Sequence, residues 1–237
     1  MARLTKQQLQ QDELGEQLGG GLDYVMHHKS SLMKWIGLGG AAVVVVIGVM
    51  LFMRHRNESA SRALGAAIDT YHAQIAPEPS KNPAVKTFKT DKERLEASVA
   101  DFTKVAAEHG GTAPGRWAKY YLGLANADLE KYPDAEKIFQ ELTGEGDADL
   151  SASAKLALAG VYQKQNKPAE AEKLLKELAE KPSRTVPKAT AQMALADIYR
   201  NSNPAEARKI YQELAKDYPD TSLAEFANLR IGELPAK

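Results

Sequence analysis

Hydrophobic positions along this chain fall into two regimes. From Trp35 to Met53 the run WIGLGGAAVVVVIGVMLFM holds nineteen residues without a charge. Beyond residue 58 the apolar residues return every three or four positions with Lys and Glu between them, which is the spacing of one face of an α-helix. The first regime predicts a helix that is apolar all round, the second a series of amphipathic helices. Nineteen residues at ~1.5 Å each make roughly 28 Å of helix, close to the hydrocarbon thickness of a bilayer. Lys34 stops the run on one side and Arg54, His55 and Arg56 on the other, and Trp35 stands where an interfacial aromatic belongs. A core helix of this kind would need a much larger soluble protein around it. A cleaved signal peptide would have a shorter apolar run ending in a small-x-small site. The expectation is one uncleaved transmembrane helix over 35–53. Its flanks carry Lys29 and Lys34 against Arg54, Arg56 and Arg62, so the positive-inside count does not orient it.

Residues 1–34 form a short N-terminal helical segment on this pattern. Thr5 and Gln8 have capping-box spacing, and Gly19-Gly20-Gly21 breaks the helix. No Gly-Lys-Ser/Thr follows the glycines, so they are a hinge and not a phosphate loop. His27 and His28 are neighbours, about 100° apart on a helix, and read as interfacial polar residues rather than as a metal pair.

A repeat dominates the second regime. The segments 120–144, 156–182 and 193–219 each open with Leu and a small residue: Leu122-Gly123, Leu158-Ala159 and Leu195-Ala196. Each then reaches an alanine, Ala135, Ala171 or Ala207, and these stand 36 residues apart. Four residues on come Phe139, Leu175 and Tyr211, and three further Leu142, Leu178 and Leu214. Two antiparallel helices approach closely where small residues face each other, and the larger residues fill the groove between them. Pro133, Pro168 and Pro204 precede each second helix, where a missing N–H was unpaired in any case. Pro182 and Pro219 close the second and third repeats.

Helices flank the repeats. Leu64, Ile68, Tyr71 and Ile75 line one face of a helix over 59–75, and 77–90 is a Pro- and Lys-rich loop. Leu95, Val99, Phe102 and Ala106 line the next, over 91–111, which ends on Gly110 as a C-cap. Together 59–111 make a divergent first repeat, and 222–234 supplies the capping helix that a solenoid needs.

The Leu-small, Tyr, Ala, bulky and Pro positions resemble the tetratricopeptide repeat. Tyr162 and Tyr199 occupy the tyrosine position and Asn126 replaces it in the first of the three. The fold class expected is all-α: a single N-terminal transmembrane helix followed by a tetratricopeptide-type helical-hairpin solenoid. Its domains are 1–34, 35–53 and 54–237, the last holding the divergent first repeat 59–111, the repeats 114–219 and the capping helix 222–234. An anchor followed by such repeats resembles the ancillary SecYEG translocon subunit family of bacterial inner-membrane proteins. The resemblance implies a short cytoplasmic N-terminus, a periplasmic repeat domain, and the translocon and periplasmic chaperones as partners.

Composition narrows the function further. With 31 basic and 31 acidic side chains there is no field for nucleic acid. No cysteine is present, which removes disulfides, thiolate metal sites and cysteine nucleophiles. The carboxylates lie in Glu-Lys patterns of solvated helix faces, no His-Glu-x-x-His or nucleophile elbow occurs, and no cofactor is implied. The chain reads as a non-enzyme that holds proteins. First helices line the binding groove of such solenoids, which makes Tyr120, Leu124, Asp128, Leu156, Gln163, Met193, Asp197 and Arg200 the candidate contacts. They are too apolar or small for a clamp on a terminal carboxylate. An extended segment or partner helix on the Tyr120–Leu156–Met193 stripe is one reading, and packing of that stripe within the fold is the other. Function is expected to be a membrane-anchored scaffold assisting export or envelope assembly. The alternatives are a homo-oligomerising structural or cell-division coordinator and an adaptor facing the cytoplasm.

Overall fold

A computed structural model of the chain describes residues 29–78, 80, 82 and 85–235, with side chains at 40 and from 43 onward. The helical segment expected over 1–34, its glycine hinge and His27-His28 lie, up to residue 28, outside the described residues. So do the side chains of residues 35–39, 41 and 42 of the expected span. Contacts divide the chain into two units, Met1–His55 and Arg56–Lys237.

The first described element, helix α1, runs Lys29–Tyr71. Its apolar side chains from Val43 to Met53 are all at least half exposed, Val44 and Met50 at 69%. Among the described residues no helix is long and apolar enough to cross a membrane.

Among its described residues the second unit is helical apart from loops and one two-residue strand pair. After α1 come β1 (Gln74–Ile75), β2 (Thr87–Phe88), α2 (Asp91–His109), α3 (Ala113–Asp128), α4 (Tyr132–Thr143), α5 (Ala148–Lys164), α6 (Pro168–Glu180), α7 (Lys188–Ser202), α8 (Pro204–Asp217) and α9 (Ser222–Glu233). Two local expectations change. Ile75 leaves the helical stripe, because α1 ends at Tyr71 and Ile75 pairs in parallel with Phe88, half exposed. The loop 77–90 therefore contains a strand. Its backbone continues the pairing, with Ala76 N–H donating to Phe88 C=O at 2.9 Å.

Side-chain caps start most of the helices. Thr90, Thr112, Asp147, Asn203 and Thr221 each accept backbone N–H groups from the first turn that follows. Pro133, Pro168 and Pro204 sit in the first turns of α4, α6 and α8. The turns after α3 and α5 carry Glu130 and Asn166 in the left-handed region, at φ 59 and 58. In both, the residue after the turn donates back to the helix, Lys131 to Asn126 C=O and Lys167 to Tyr162 C=O. The turn after α7 is one residue, Asn203, which dispenses with the left-handed position and caps α8 by accepting from Glu206 N–H.

Each helix from α2 to α9 packs on the next. The repeat alanines Ala135, Ala171 and Ala207 are fully buried, as are Phe139, Leu175 and Tyr211 four residues on. One core holds Ala67 of α1 with Phe102, Val105, Ala118 and Ala125. A second lies around Phe139, Leu142, Leu150 and Leu158, and a third runs from Leu175 and Leu178 through Leu195 and Tyr211 to Ala227. The close approach that the small residues permit is measurable in the first hairpin. A Cβ on Gly123 would stand 2.6 Å from the Phe139 ring.

Candidate functional site

The 36-residue period is written in polar contacts as well as apolar ones. Lys119 meets Glu141 at 2.6 Å across α3 and α4, and Lys155 meets Glu177 at 2.6 Å across α5 and α6. The lysine hydrogen-bonds to the Glu141 carboxylate and holds it below the usual carboxylate range. A second series joins one hairpin to the next. The Tyr162 hydroxyl receives Gln140 Nε2 at 3.1 Å, and Lys167 pairs with Glu136 at 3.1 Å while lying over the Tyr162 ring. One repeat later, Tyr199 takes the same place against Glu172 and Lys176, with its hydroxyl pushed up by burial and then by its bond to Glu172. At the third occurrence of the position, 36 residues beyond Glu172, stands Arg208. It donates to Ile231 C=O at 3.4 Å and Pro235 C=O at 3.0 Å. The sign changes because the neighbour here is the carbonyl end of α9, where a cation is favoured.

The expected groove residues divide between these contacts and the cores. Tyr120 and Leu124 are half-buried against the Phe139 core, and the Tyr120 ring lies 5.8 Å from Phe139 and 5.4 Å from Trp117. Leu156 and Met193 are half-buried together against the third core. Asp128 accepts from the Tyr71 hydroxyl of α1. Asp197 accepts from the buried Tyr211 hydroxyl at 2.7 Å, and Arg200 pairs with Glu233 of α9 at 3.0 Å. Gln163 is exposed on α5, and so is Gly160, with open space where a Cβ would stand. The structure thus places Leu156 and Met193 against one core and Tyr120 and Leu124 against another.

Other polar groups are spent on the fold. The buried Thr70 hydroxyl donates to Asp101 at 2.7 Å and receives Lys86 Nζ at 2.6 Å, at the rim of a depression of about 450 Å³ lined also by Asp69 and His72. Thr70 is 1% exposed, and its hydroxyl also has the Ala66 carbonyl as an acceptor at 3.2 Å, so its bonds serve the packing of α1 on α2. Arg184 straps the α6–α7 loop to the start of α5 through Asp149, at 2.8 and 3.0 Å. Among the described residues no group of three His, Asp or Glu side chains is placed to hold a metal ion. Arg208 and the Arg184 strap had no signal in the sequence, but the 36-residue spacing of Lys119 with Lys155, and of Glu141 with Glu177, could have revealed the ion pairs.

No curated protein matches this chain. Residues 156–222 match the family described as tetratricopeptide repeat, so that stretch carries repeats of the tetratricopeptide type.

Proposed function

We propose that the chain is a membrane-anchored scaffold that holds other proteins on the periplasmic face of a bacterial inner membrane, assisting protein export or envelope protein assembly without catalysing a reaction. The observation that carries this reading is the stack of tetratricopeptide-type hairpins, whose polar groups join helix to helix and repeat to repeat. Support for the anchor comes from Val43–Met53, whose apolar side chains are at least half exposed among the described residues and continue the uncharged run that begins at Trp35. The translocon and periplasmic chaperones enter as partners through the family that the chain's organisation resembles. Because Leu156 and Met193 already serve a core, partner contact falls on the exposed first-helix positions beside them, Gly160, Gln163 and Asp197.

Two measurements on the full chain in cells test the proposal. A photocrosslinking residue at Gln163 or Gly160 is expected to capture an export or envelope protein, while one at Lys173 on α6 is not. A cysteine added beside Lys237, in a chain that otherwise has none, is expected to react with an impermeant maleimide in intact cells. Labelling only after the inner membrane is opened would place the repeats in the cytoplasm and overturn the periplasmic assignment.

A further inference from the structure

The last described helix, α9, is built as the first half of another hairpin. Ala118, Ala154, Ala191 and Ala227 are fully buried at successive intervals of 36, 37 and 36 residues. In the same register Gly232 takes the place of Gly123, Ala159 and Ala196, and Leu229 takes that of Tyr120, Leu156 and Met193. In the earlier hairpins this face is covered by the second helix, most tightly where Phe139 lies against Gly123. Among the described residues no second helix follows α9. Leu229 is 61% exposed, Phe226 is 38% exposed, and nothing stands within 4 Å of a Cβ on Gly232.

We infer that this face is covered by α9 of a second copy of the chain, the two helices antiparallel about a two-fold axis at Leu229. The spacing is self-complementary, as a two-fold contact requires. Leu229 meets its own copy at the axis. Phe226, three residues before it, falls opposite Gly232, three residues after it, and its ring enters open space of the kind that Gly123 offers Phe139. Charge agrees with the register. Exposed Glu225 lies four residues before Leu229 and so faces Glu233, which already holds Arg200 at 3.0 Å and Arg230 at 2.8 Å. Asp197 adds a second carboxylate beside Arg230, and Arg208, on the Ile231 and Pro235 carbonyls, adds a third guanidinium, which leaves that end of α9 net positive and attractive to the partner's Glu225. Arg230 covers one face of the Phe226 ring at 4.6 Å and presents the rest outward. One helix pair buries less than the roughly 1,200 Å² of a standard interface, so the dimer dissociates on dilution.

Cysteine pairing tests this on the full chain in detergent, since a disulfide requires Cα atoms within about 7 Å. L229C is expected to form a disulfide dimer under mild oxidation, and A169C on α6 is not. Mixing differently tagged F226C and G232C chains is expected to give the mixed dimer in excess over either self-pair. Adding Leu229→Glu to both chains should cut that yield by roughly tenfold or more, with the far-UV spectrum unchanged. A monomeric L229C, a preference of F226C for itself, or an α9 that crosslinks only to a different protein would each overturn the inference.

Discussion

Replacing Gly123 by alanine sets two effects of opposite sign against each other at one atom. Gly123 is interior to α3 and buried, so helix propensity alone favours alanine by about 1 kcal/mol. The new Cβ, however, would stand 2.6 Å from Cε1 and 2.8 Å from Cζ of Phe139. That ring is fully buried with Tyr120 at 5.8 Å on another side, so it has nowhere to swing. Overpacking of a filled core costs about 1–3 kcal/mol, and the net expectation is a destabilisation of about 1 kcal/mol. Phe139→Leu alone leaves a void and costs about 1 kcal/mol. The second hairpin already uses the smaller pair, Ala159 with Leu175, at the same spacing. The double substitution should therefore be more stable than the sum of the singles by about 1–2 kcal/mol. Urea midpoints of the full chain and its three variants, followed by far-UV circular dichroism, complete the cycle. If Gly123→Ala raises stability and the singles simply add, steric contact with Phe139 is not what requires glycine there.

Other outcomes follow from single contacts. Glu130→Gly should raise stability by about 0.5–1 kcal/mol, since a branched backbone position at φ 59 is relieved; Asn166→Gly one repeat later should change it less, because asparagine tolerates that region. Arg208→Met should expose the Ile231 and Pro235 carbonyls and speed amide exchange in 222–233 first, at a cost of about 1 kcal/mol, whereas a uniform increase over all helices would refute the local role. Lowering pH should leave the melting temperature level to about 5 and then reduce it. Glu141 and Glu172 are held below their ordinary 4.5 by bonds from Lys119 and Lys176, and at Glu136 bonds from Gln165 and Lys167 outweigh the upward pull of burial. A depressed folded value means that this stability is present above 4.5 and fades as the carboxylates protonate below it; Lys119→Ala should flatten the acid limb.

The hairpins were legible because helix pairing needs small residues at fixed intervals, and Gly123, Ala159 and Ala196 keep them. Prolines at the first turns marked the helix starts for the same local reason. Ile75 was misread because its spacing continues the α1 stripe, while the strand pair that claims it depends on Phe88, thirteen residues away, which periodicity cannot see. The candidate groove residues lie on α3, α5 and α7, but exposure could not be read from position alone. Tyr120, Leu156 and Met193 look outward when α3, α5 and α7 are considered singly, and become half-buried once the cores of adjacent hairpins meet them. Charge pairing was hidden for the opposite reason, since Lys119 and Glu141 look like ordinary solvated residues until the helices are set side by side.

The tyrosine-to-glutamate contacts between hairpins bear on how such a chain can grow. Residues 147–182 carry Tyr162 facing backward and Glu172 facing forward, and Glu172 accepts from Tyr199 what Glu136 accepts from Tyr162. A tandem copy of this segment would meet its parent with matching tyrosine and glutamate contacts at both joints, losing at one of them the 183–187 loop with its Asp149–Arg184 strap and buried Val186. Array length is thereby open to change by a single recombination event in the gene, with no new core to be evolved.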